Sequence, residues 1–163
     1  MAARRVCVLD AGPLIHLDEL ERLDLLFRMG DLFIPESVAY EAEKHCTGIT
    51  GKIQRYIVEE VATLSRNLAE LIRESGLGAG ETAALAWVEK LGADLFISDD
   101  QAARDAADDL GYPSTGTLGV ICDAADSGII TREEAVALVQ SVPLRTTLFT
   151  TPSLLKKVLA SLR

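Results

Sequence analysis

The sequence lacks any long hydrophobic run. Hydrophobic residues make up 48% of its 163 residues, yet no uninterrupted apolar stretch approaches the roughly 18–20 residues that a membrane-spanning helix needs. Two arginines stand near the amino terminus, but the apolar run that follows them, Val6–Leu9, is too short for the core of a signal peptide. We therefore expect a soluble, cytoplasmic protein with no membrane partner.

Cysteine and histidine are also scarce. The three cysteines, Cys7, Cys46 and Cys122, are far apart and form no Cys-x-x-Cys pair, and the two histidines, His16 and His45, do not complete a zinc pattern with them. An odd number of widely spaced cysteines argues against a disulfide framework, and the same spacing argues against a structural zinc site. The simplest interpretation is buried or idle thiols in a reducing cytoplasm.

Positive charge is in deficit. Lysine and arginine number 16 against 25 aspartates and glutamates, so the formal net charge is −9. This balance argues against tight, non-specific binding to nucleic acid through overall charge, but it does not exclude nucleic acid as a transient substrate. It raises the question of where the carboxylates collect and whether a cation lies among them.

Apolar segments alternate with amphipathic ones along nearly the whole chain, and the length fits one domain over residues 1–163. The helices at 130–163 form its carboxyl-terminal part. Periodicity and the positions of glycine and proline predict strands and helices throughout. The strands are predicted at 5–9, 32–34, 61–64 and 95–97, and the helices at 13–28, 35–44, 52–60, 81–91, 101–110, 116–126, 132–142 and 153–162, with another that is capped by Ser65 or Asn67 and ends at 74.

This alternation predicts an α/β fold, a three-layer α/β/α sandwich with a central, mainly parallel sheet. In open sheets of this kind, ligands bind beyond the carboxyl ends of the strands. Two of the predicted strands end in carboxylates: Asp10 follows the first, and Asp99 and Asp100 follow the strand at 95–97. We therefore expect the functional site at this edge of the sheet.

Two glutamates extend the set. Glu41 lies on the helix after the second strand, and Glu81 opens the helix that follows Gly80. Each carboxylate, taken alone, also has a simpler explanation. Asp10 fits a helix cap, Glu41 a solvated helix face, and Glu81 a first helical turn where the dipole favours negative charge.

Four segments, taken together, form a recognisable pattern. They are Val-Leu-Asp at 8–10, Ile-Pro-Glu-Ser-Val-Ala-Tyr-Glu at 34–41, Gly-Ala-Gly-Glu-Thr-Ala-Ala-Leu at 78–85, and Leu-Phe-Ile-Ser-Asp-Asp at 95–100. This pattern resembles the PIN-domain family, metal-dependent nucleases that include the VapC-type toxins of bacterial toxin–antitoxin pairs. With Ala103-Arg104 and Gly-Thr-Leu-Gly-Val at 116–120, it looks most like an uncharacterised prokaryotic branch of that family. The similarity runs in order through about residues 5–130.

The resemblance implies a set of ligands and an activity. Asp10, Glu41 and Glu81 match the first three acidic positions of the family. Asp100 matches the fourth, and Asp99 is kept as its alternative because the register could differ by one. The resemblance further implies an endoribonuclease that hydrolyses RNA phosphodiester bonds with Mg²⁺ or Mn²⁺, such as the toxin of a toxin–antitoxin pair. RNA is then the substrate, an antitoxin protein a partner, and a homodimer the assembly.

One position departs from the family pattern. Many relatives carry Ser, Thr or Asn two residues after the first aspartate, and here that place is Gly12. The missing side chain leaves open an alternative: a catalytically weak or inactive PIN-like module that binds nucleic acid or a protein. A haloacid-dehalogenase-type phosphatase would need an aspartate at this place, so Gly12 argues against that class.

The residue types fit phosphodiester chemistry. Clustered carboxylates persist when a cation neutralises them or when some stay protonated, and oxygen-only ligands suit Mg²⁺ or Mn²⁺ rather than zinc. The phosphate backbone of a substrate needs local positive charge. Lys52, Arg55, Arg104 and Arg132 are the candidates for it, although an ordinary solvated surface charge is the simpler explanation for each.

Overall fold

Parallel strands form the centre of the molecule. The computed structural model describes residues 4–163. The sheet in that range has five strands in the order β3-β2-β1-β4-β5, and every neighbouring pair is parallel, which confirms the predicted α/β fold. The strands are β1 (Val6–Leu9), β2 (Asp31–Pro35), β3 (Ile57–Val58), β4 (Leu95–Ile97) and β5 (Ser114–Thr115).

Helices connect the strands and cover the sheet. They are α1 (Ala11–Glu19), α2 (Asp24–Phe27), α3 (Glu36–His45), α4 (Ile49–Ile53), α5 (Arg66–Ser75), α6 (Ala79–Leu91), α7 (Gln101–Asp109), α8 (Thr117–Asp126), α9 (Arg132–Arg145) and α10 (Pro152–Ser161). Helix α8 packs against α1 and α2, and these three helices form one group. Helices α5, α6 and α7 pack against one another and form a second group. Because crossovers between parallel strands are right-handed, the two groups lie on opposite faces of the sheet. No helix among the described residues combines the length and the apolarity needed to cross a membrane.

The central strands are buried on both faces. Val8, Leu9, Phe96 and Ile97 have no exposed surface, and Val8 pairs with Phe33 on one side and Phe96 on the other. A strand with two buried faces has a continuous apolar sequence, which is why β1 and β4 could be predicted. Leu9 pairs with Ile97, so the residues that follow the two strands emerge side by side at the carboxyl edge.

The predicted helix at 13–28 is wrong in its middle. The chain forms α1 and α2 instead, separated by a tight turn in which Glu21 adopts a left-handed conformation with φ of 58°. Leu20 and Leu23, on either side of that residue, are both buried. Two short helices joined by a turn bury both leucines while the overall helical spacing of the apolar residues is retained.

The predicted helix at 52–60 and the predicted strand at 61–64 are also wrong. After α4 the chain forms a 3₁₀ turn, Gln54–Tyr56, and then β3, where Ile57 lies opposite Ile34 of β2. Residues 61–64 have no regular structure. Both β3 and the equally short β5 are defined by pairing with a neighbouring strand, and two residues carry no periodicity from which to predict them.

The strained turn gives a stability prediction. Replacing Glu21 with glycine relieves the left-handed conformation of a residue with a Cβ atom, so Glu21→Gly should raise the free energy of unfolding by about 1 kcal/mol in urea denaturation. Glu21→Ala is the matched control, since it also removes the exposed contact with Arg145 but keeps the Cβ atom. Equal stability of the two variants would show that the turn is not strained.

Candidate metal centre

Asp10 is the buried acid of the carboxyl edge. It follows β1 directly and is only 4% exposed. Its Oδ1 accepts a hydrogen bond from the backbone N–H of Ala11 at 2.8 Å, which caps α1, and its Oδ2 accepts one from Ser98 Oγ at 2.7 Å. Each carboxylate oxygen can accept more than one such bond, so capping leaves Asp10 with free lone pairs.

The charge of Asp10 is unfavourable in this environment. Burial, with smaller contributions from the negative charges of Glu81 and Glu41, raises the pKa of Asp10 to about 6, although the hydrogen bonds from Ser98 and Ala11 oppose the shift. The three carboxylates therefore share one region of low solvent access. Positive charge placed there would stabilise the ionised form of Asp10.

Gly80 makes the approach of two carboxylates possible. A Cβ atom at this residue, in the first turn of α6, would lie 2.9 Å from Glu41 Oε2 and 3.8 Å from Asp10 Oδ1. The space between α3 and the end of β1 is thus open only because residue 80 has no side chain. Oxygen atoms of Glu41 and Asp10 consequently border one small cradle, together with a methyl group of Val38 that would lie 3.7 Å from the same Cβ atom.

Glu81 borders the same cradle but turns away from it. Its Oε2 would lie 2.6 Å from a Cβ atom built on Gly78, so the carboxylate is folded back over the chain that precedes α6. Within residues 4–163, no three His, Cys, Asp or Glu side chains are arranged closely enough to hold a metal ion as they stand.

The donor set fits a hard divalent cation. Asp10, Glu41 and Glu81 offer carboxylate oxygens and no nitrogen or sulfur, and Mg²⁺ and Mn²⁺ prefer such ligands. Mg²⁺ also retains several of its waters, so two or three protein oxygens are enough. The cradle at Gly80 supplies the room, with oxygen atoms of Asp10 and Glu41 beside it.

Asp99 is occupied by hydrogen bonds. Its Oδ1 accepts from the backbone N–H of Thr117 at 2.7 Å, and its Oδ2 accepts from Thr117 Oγ1 at 2.6 Å and lies 2.7 Å from His16 Nδ1. Burial acts to raise the pKa of Asp99, but the hydrogen bonds from His16 and Thr117 outweigh it and keep this pKa below its usual value. Asp99 thereby connects α1, β4 and α8.

This network explains the glycine two residues after Asp10. A Cβ atom on Gly12 would lie 3.2 Å from Asp99 Cβ and 3.3 Å from Asp99 Oδ2. Contacts that short force a neighbour to move, and the Asp99 side chain is held by His16 and Thr117. The place where relatives have a hydroxyl or an amide is therefore bordered here by a fixed carboxylate.

Asp100 has a different position. It is exposed, and its Oδ1 accepts a hydrogen bond from the backbone N–H of Ala103 at 2.8 Å, which caps α7. Its own backbone N–H donates to Ser98 Oγ at 3.1 Å, and that hydroxyl in turn donates to Asp10. Asp100 is thus joined to Asp10 through one buried serine, and within residues 4–163 its second carboxylate oxygen accepts no hydrogen bond.

Of the four predicted positively charged side chains, Arg104 lies at this edge, while Arg132 pairs with Asp126 at 3.3 Å. Arg104 Nη1 donates to the carbonyl oxygen of Ser98 at 2.8 Å, beside the end of β4. Lys52 instead pairs with Asp18 at 2.7 Å. The guanidinium of Arg55 lies over the Tyr56 ring and donates to its hydroxyl.

Ser98 and His16 have roles in the structure that no sequence motif predicts. Both are buried polar residues with one carboxylate partner each, Asp10 for Ser98 and Asp99 for His16. The available signals were a serine at the end of an apolar strand and a histidine one helical turn after Gly12. Neither signal identifies the partner, because the contacts cross from one element to another.

The raised pKa of Asp10 makes a pH prediction for metal-free protein in EDTA. The folded-state pKa of about 6 exceeds the ordinary value of 3.8, so the folded state holds more protons between those values and stability falls as pH rises through them. Asp10→Asn keeps the cap and has no charge. We expect the free energy of unfolding of Asp10→Asn, relative to that of wild type, to increase by about 2 kcal/mol between pH 4 and pH 6. Above that range the difference between the two proteins should stay nearly constant.

Urea denaturation at half-unit pH intervals measures this difference. Comparison of the two proteins at each pH cancels the contributions of other titrating groups, such as Asp99, whose lowered pKa acts in the opposite direction. A difference in stability that does not change with pH would show that Asp10 is not the strained acid of the site.

Comparison with known families agrees with the geometry. A family model described as a PIN domain (DUF3368) matches residues 6–163, which is nearly the whole chain and includes the carboxyl-terminal helices. No curated protein matches the sequence. PIN domains are generally nucleases, and they typically use divalent metals. The chain belongs to the PIN domain family.

Proposed function

We propose that this protein is a divalent-metal-dependent endoribonuclease that hydrolyses phosphodiester bonds of RNA with Mg²⁺ or Mn²⁺. The observation that carries the proposal is the cradle at Gly80, where Glu41 and the buried Asp10 approach each other at the carboxyl end of β1. Family membership supports nuclease chemistry and divalent metals. The choice of RNA over DNA depends on the resemblance to ribonuclease toxins.

Four carboxylates have proposed roles as ligands. Asp10, Glu41 and Glu81 surround the cradle, and Asp100 contributes its second carboxylate oxygen from the start of α7. We favour Asp100 over Asp99 because three contacts already hold the Asp99 carboxylate, two with Thr117 and one with His16, whereas among the described residues the Asp100 carboxylate accepts one hydrogen bond, from Ala103. When bound, a divalent cation supplies the positive charge that activates water for attack on the phosphodiester.

The surrounding residues orient the acids and the substrate. Ser98 Oγ and the Ala11 N–H fix the Asp10 carboxylate from two sides, so its remaining lone pairs have a defined direction. Arg104 is held next to them by neutral partners, the Ser98 carbonyl and Gln101 Oε1. Its guanidinium charge is available to bind a phosphate group of the substrate.

We also propose a biological role and an assembly for this protein. By resemblance to the toxin members of the family, the protein is the toxin of a toxin–antitoxin pair and forms a homodimer. Exposed apolar side chains in the carboxyl-terminal part, among them Leu144 and Leu154, are suited to a protein contact of either kind.

One observation favours an alternative function, a PIN-like binding module without catalytic activity. Gly12 leaves no hydroxyl or amide at a place where many relatives have one, and Asp99 borders that place. A PIN-like module that binds nucleic acid or protein without appreciable catalysis would tolerate this loss. The alternative predicts the same cradle but no metal-dependent turnover.

Cleavage of fluorogenic single-stranded RNA by the purified protein separates the two possibilities. With Mn²⁺ or Mg²⁺ we expect cleavage that EDTA abolishes, and that Asp10→Asn and Glu41→Gln lower at least about 100-fold, since each removes a charged ligand. Glu36→Gln is the matched control, because Glu36 is an exposed acid on the same helix, α3, as Glu41.

The controls define the opposing outcomes. Equal activity in wild type and Asp10→Asn would identify a contaminating ribonuclease and leave the protein without demonstrated activity. Loss of activity in Glu36→Gln as large as in Glu41→Gln would show that general negative charge on α3, rather than the cradle, is responsible. Metal binding without cleavage of any RNA would support the binding module.

A further inference from the structure

A groove opens beside the candidate metal centre, past the β5 edge of the sheet. It lies between α7, the amino end of α8 and the segment that leads into α10, and its volume is about 460 Å³. That volume is in the range of small-ligand pockets in proteins. Asp99, Arg104 and Gly116 line the part next to β4 and β5, while Leu148 and Phe149 line it from the segment before α10.

We propose that this groove binds the nucleotide next to the cleaved phosphodiester, with its base stacked on Phe149 and its phosphate bound by Arg104. The proposal rests on the proposed ribonuclease function and deepens it by naming a substrate subsite. Aromatic stacking is the usual way in which proteins hold an unpaired base of a single strand. The substrate class is therefore single-stranded or looped RNA.

Phe149 is displayed on an anchored segment. Its side chain is 86% exposed, which is unusual for a residue of this size and hydrophobicity. On one side of it, the N–H and hydroxyl of Thr147 donate to the Glu19 carboxylate of α1, and Leu148 packs against the core. On the other side, Thr151 caps α10. The ring is thus presented to solvent from a backbone that is fixed at both ends.

Arg104 supplies the positive charge of the groove. Its Nη1 donates to the Ser98 carbonyl and its Nη2 to Gln101 Oε1, both of which are neutral acceptors. Across the part of the chain that the structure describes, it forms no ion pair with a carboxylate. In a protein of net charge −9, a guanidinium held in place by neutral acceptors is suited to an anionic ligand, and it faces the carboxylates of Asp99 and Asp108 in the lining of the same groove.

Ser98, a buried residue, lies between the metal centre and the groove. The hydroxyl of this residue donates to Asp10, and its carbonyl oxygen accepts from Arg104. A Cβ atom at Gly116 would lie 2.7 Å from Asp99 Oδ1 and 3.4 Å from Arg104 Nη1, so a side chain there would crowd this junction. Ser98 thus has the buried acid of the metal centre on one side and the arginine of the groove on the other.

A protein could also cover the apolar part of the groove. Phe149 and Leu154 are exposed apolar side chains, and a second copy of the chain or a helical partner would bury them. The polar part, which includes Arg104, Gln101 and the carboxylates of Asp99 and Asp108, favours a ligand with charge and hydrogen-bonding groups over an apolar helix face. We therefore favour a nucleotide over a protein as the ligand of this groove, and the experiment below distinguishes the two.

The test measures RNA binding separately from cleavage. The probe is a fluorescein-labelled single-stranded RNA of mixed sequence and roughly 12 nucleotides, titrated by anisotropy with the cleavage-deficient Asp10→Asn protein in Mn²⁺. Adding Phe149→Ala to this protein should raise the Kd between about 5- and 100-fold, and Phe149→Trp should restore it. Leu144→Ala is the matched control, since Leu144 is also 86% exposed but does not line the groove.

Two further readouts support or overturn the subsite. In the wild-type background, Phe149→Ala should raise KM with little change in kcat, because stacking contributes to ground-state and transition-state binding alike. An RNA of the same length in which the bases are replaced by abasic sites should bind the Asp10→Asn protein equally well with and without Phe149→Ala. The subsite is overturned if Phe149→Ala has the same Kd as Leu144→Ala, or if the Asp10→Asn protein does not bind the RNA.

Other outcomes separate this proposal from the ribonuclease function. A wild-type protein that binds RNA through Phe149 but cleaves none in Mn²⁺ would retain the subsite and contradict the nuclease. Cleavage with an unchanged KM in Phe149→Ala would retain the nuclease and contradict the subsite. Conversion of a dimer to a monomer by Phe149→Ala, with RNA affinity unaffected, would assign the ring to a protein interface.

Discussion

The buried carboxylate of Asp10 is the constraint on which the rest of the site depends. An apolar strand, β1, delivers it to a position that is 4% exposed, where its charge is disfavoured by burial and by two neighbouring glutamates. Hydrogen bonds from Ser98 and from the start of α1 hold it but only partly compensate. The unfavourable charge of Asp10 lowers the free energy of unfolding of the metal-free protein. Such destabilisation is common at functional sites, where ionisable groups are held in unfavourable surroundings.

The second organising contact joins the elements around that acid. Asp99 links α1 through His16 and α8 through Thr117, so the helices that start at the carboxyl edge are fixed relative to β4. The absence of a side chain at Gly12 belongs to this arrangement, because a Cβ atom there would press on Asp99. A departure from the pattern of the family thus accompanies a local network that holds the Asp99 carboxylate in place.

The sequence is informative where structure follows from continuous local patterns. The strands β1 and β4, most helices and the placement of Asp10 at the carboxyl edge follow from apolar runs, glycines and the rule for parallel sheets. The two-residue strands β3 and β5 could not be predicted, since only their pairing defines them. Side-chain partnerships are equally hidden: Ser98 contacts an acid 88 positions away, His16 one 83 positions away, and Lys52 one 34 positions away.

The central claim is that Asp10 holds a divalent cation at the cradle next to Gly80. Isothermal titration of Mn²⁺ into metal-free protein tests it most directly, with wild type, Asp10→Asn and Glu36→Gln measured side by side. The account predicts one binding event in wild type and in Glu36→Gln, and an affinity at least roughly tenfold weaker in Asp10→Asn. The same Mn²⁺ affinity in all three proteins would contradict it.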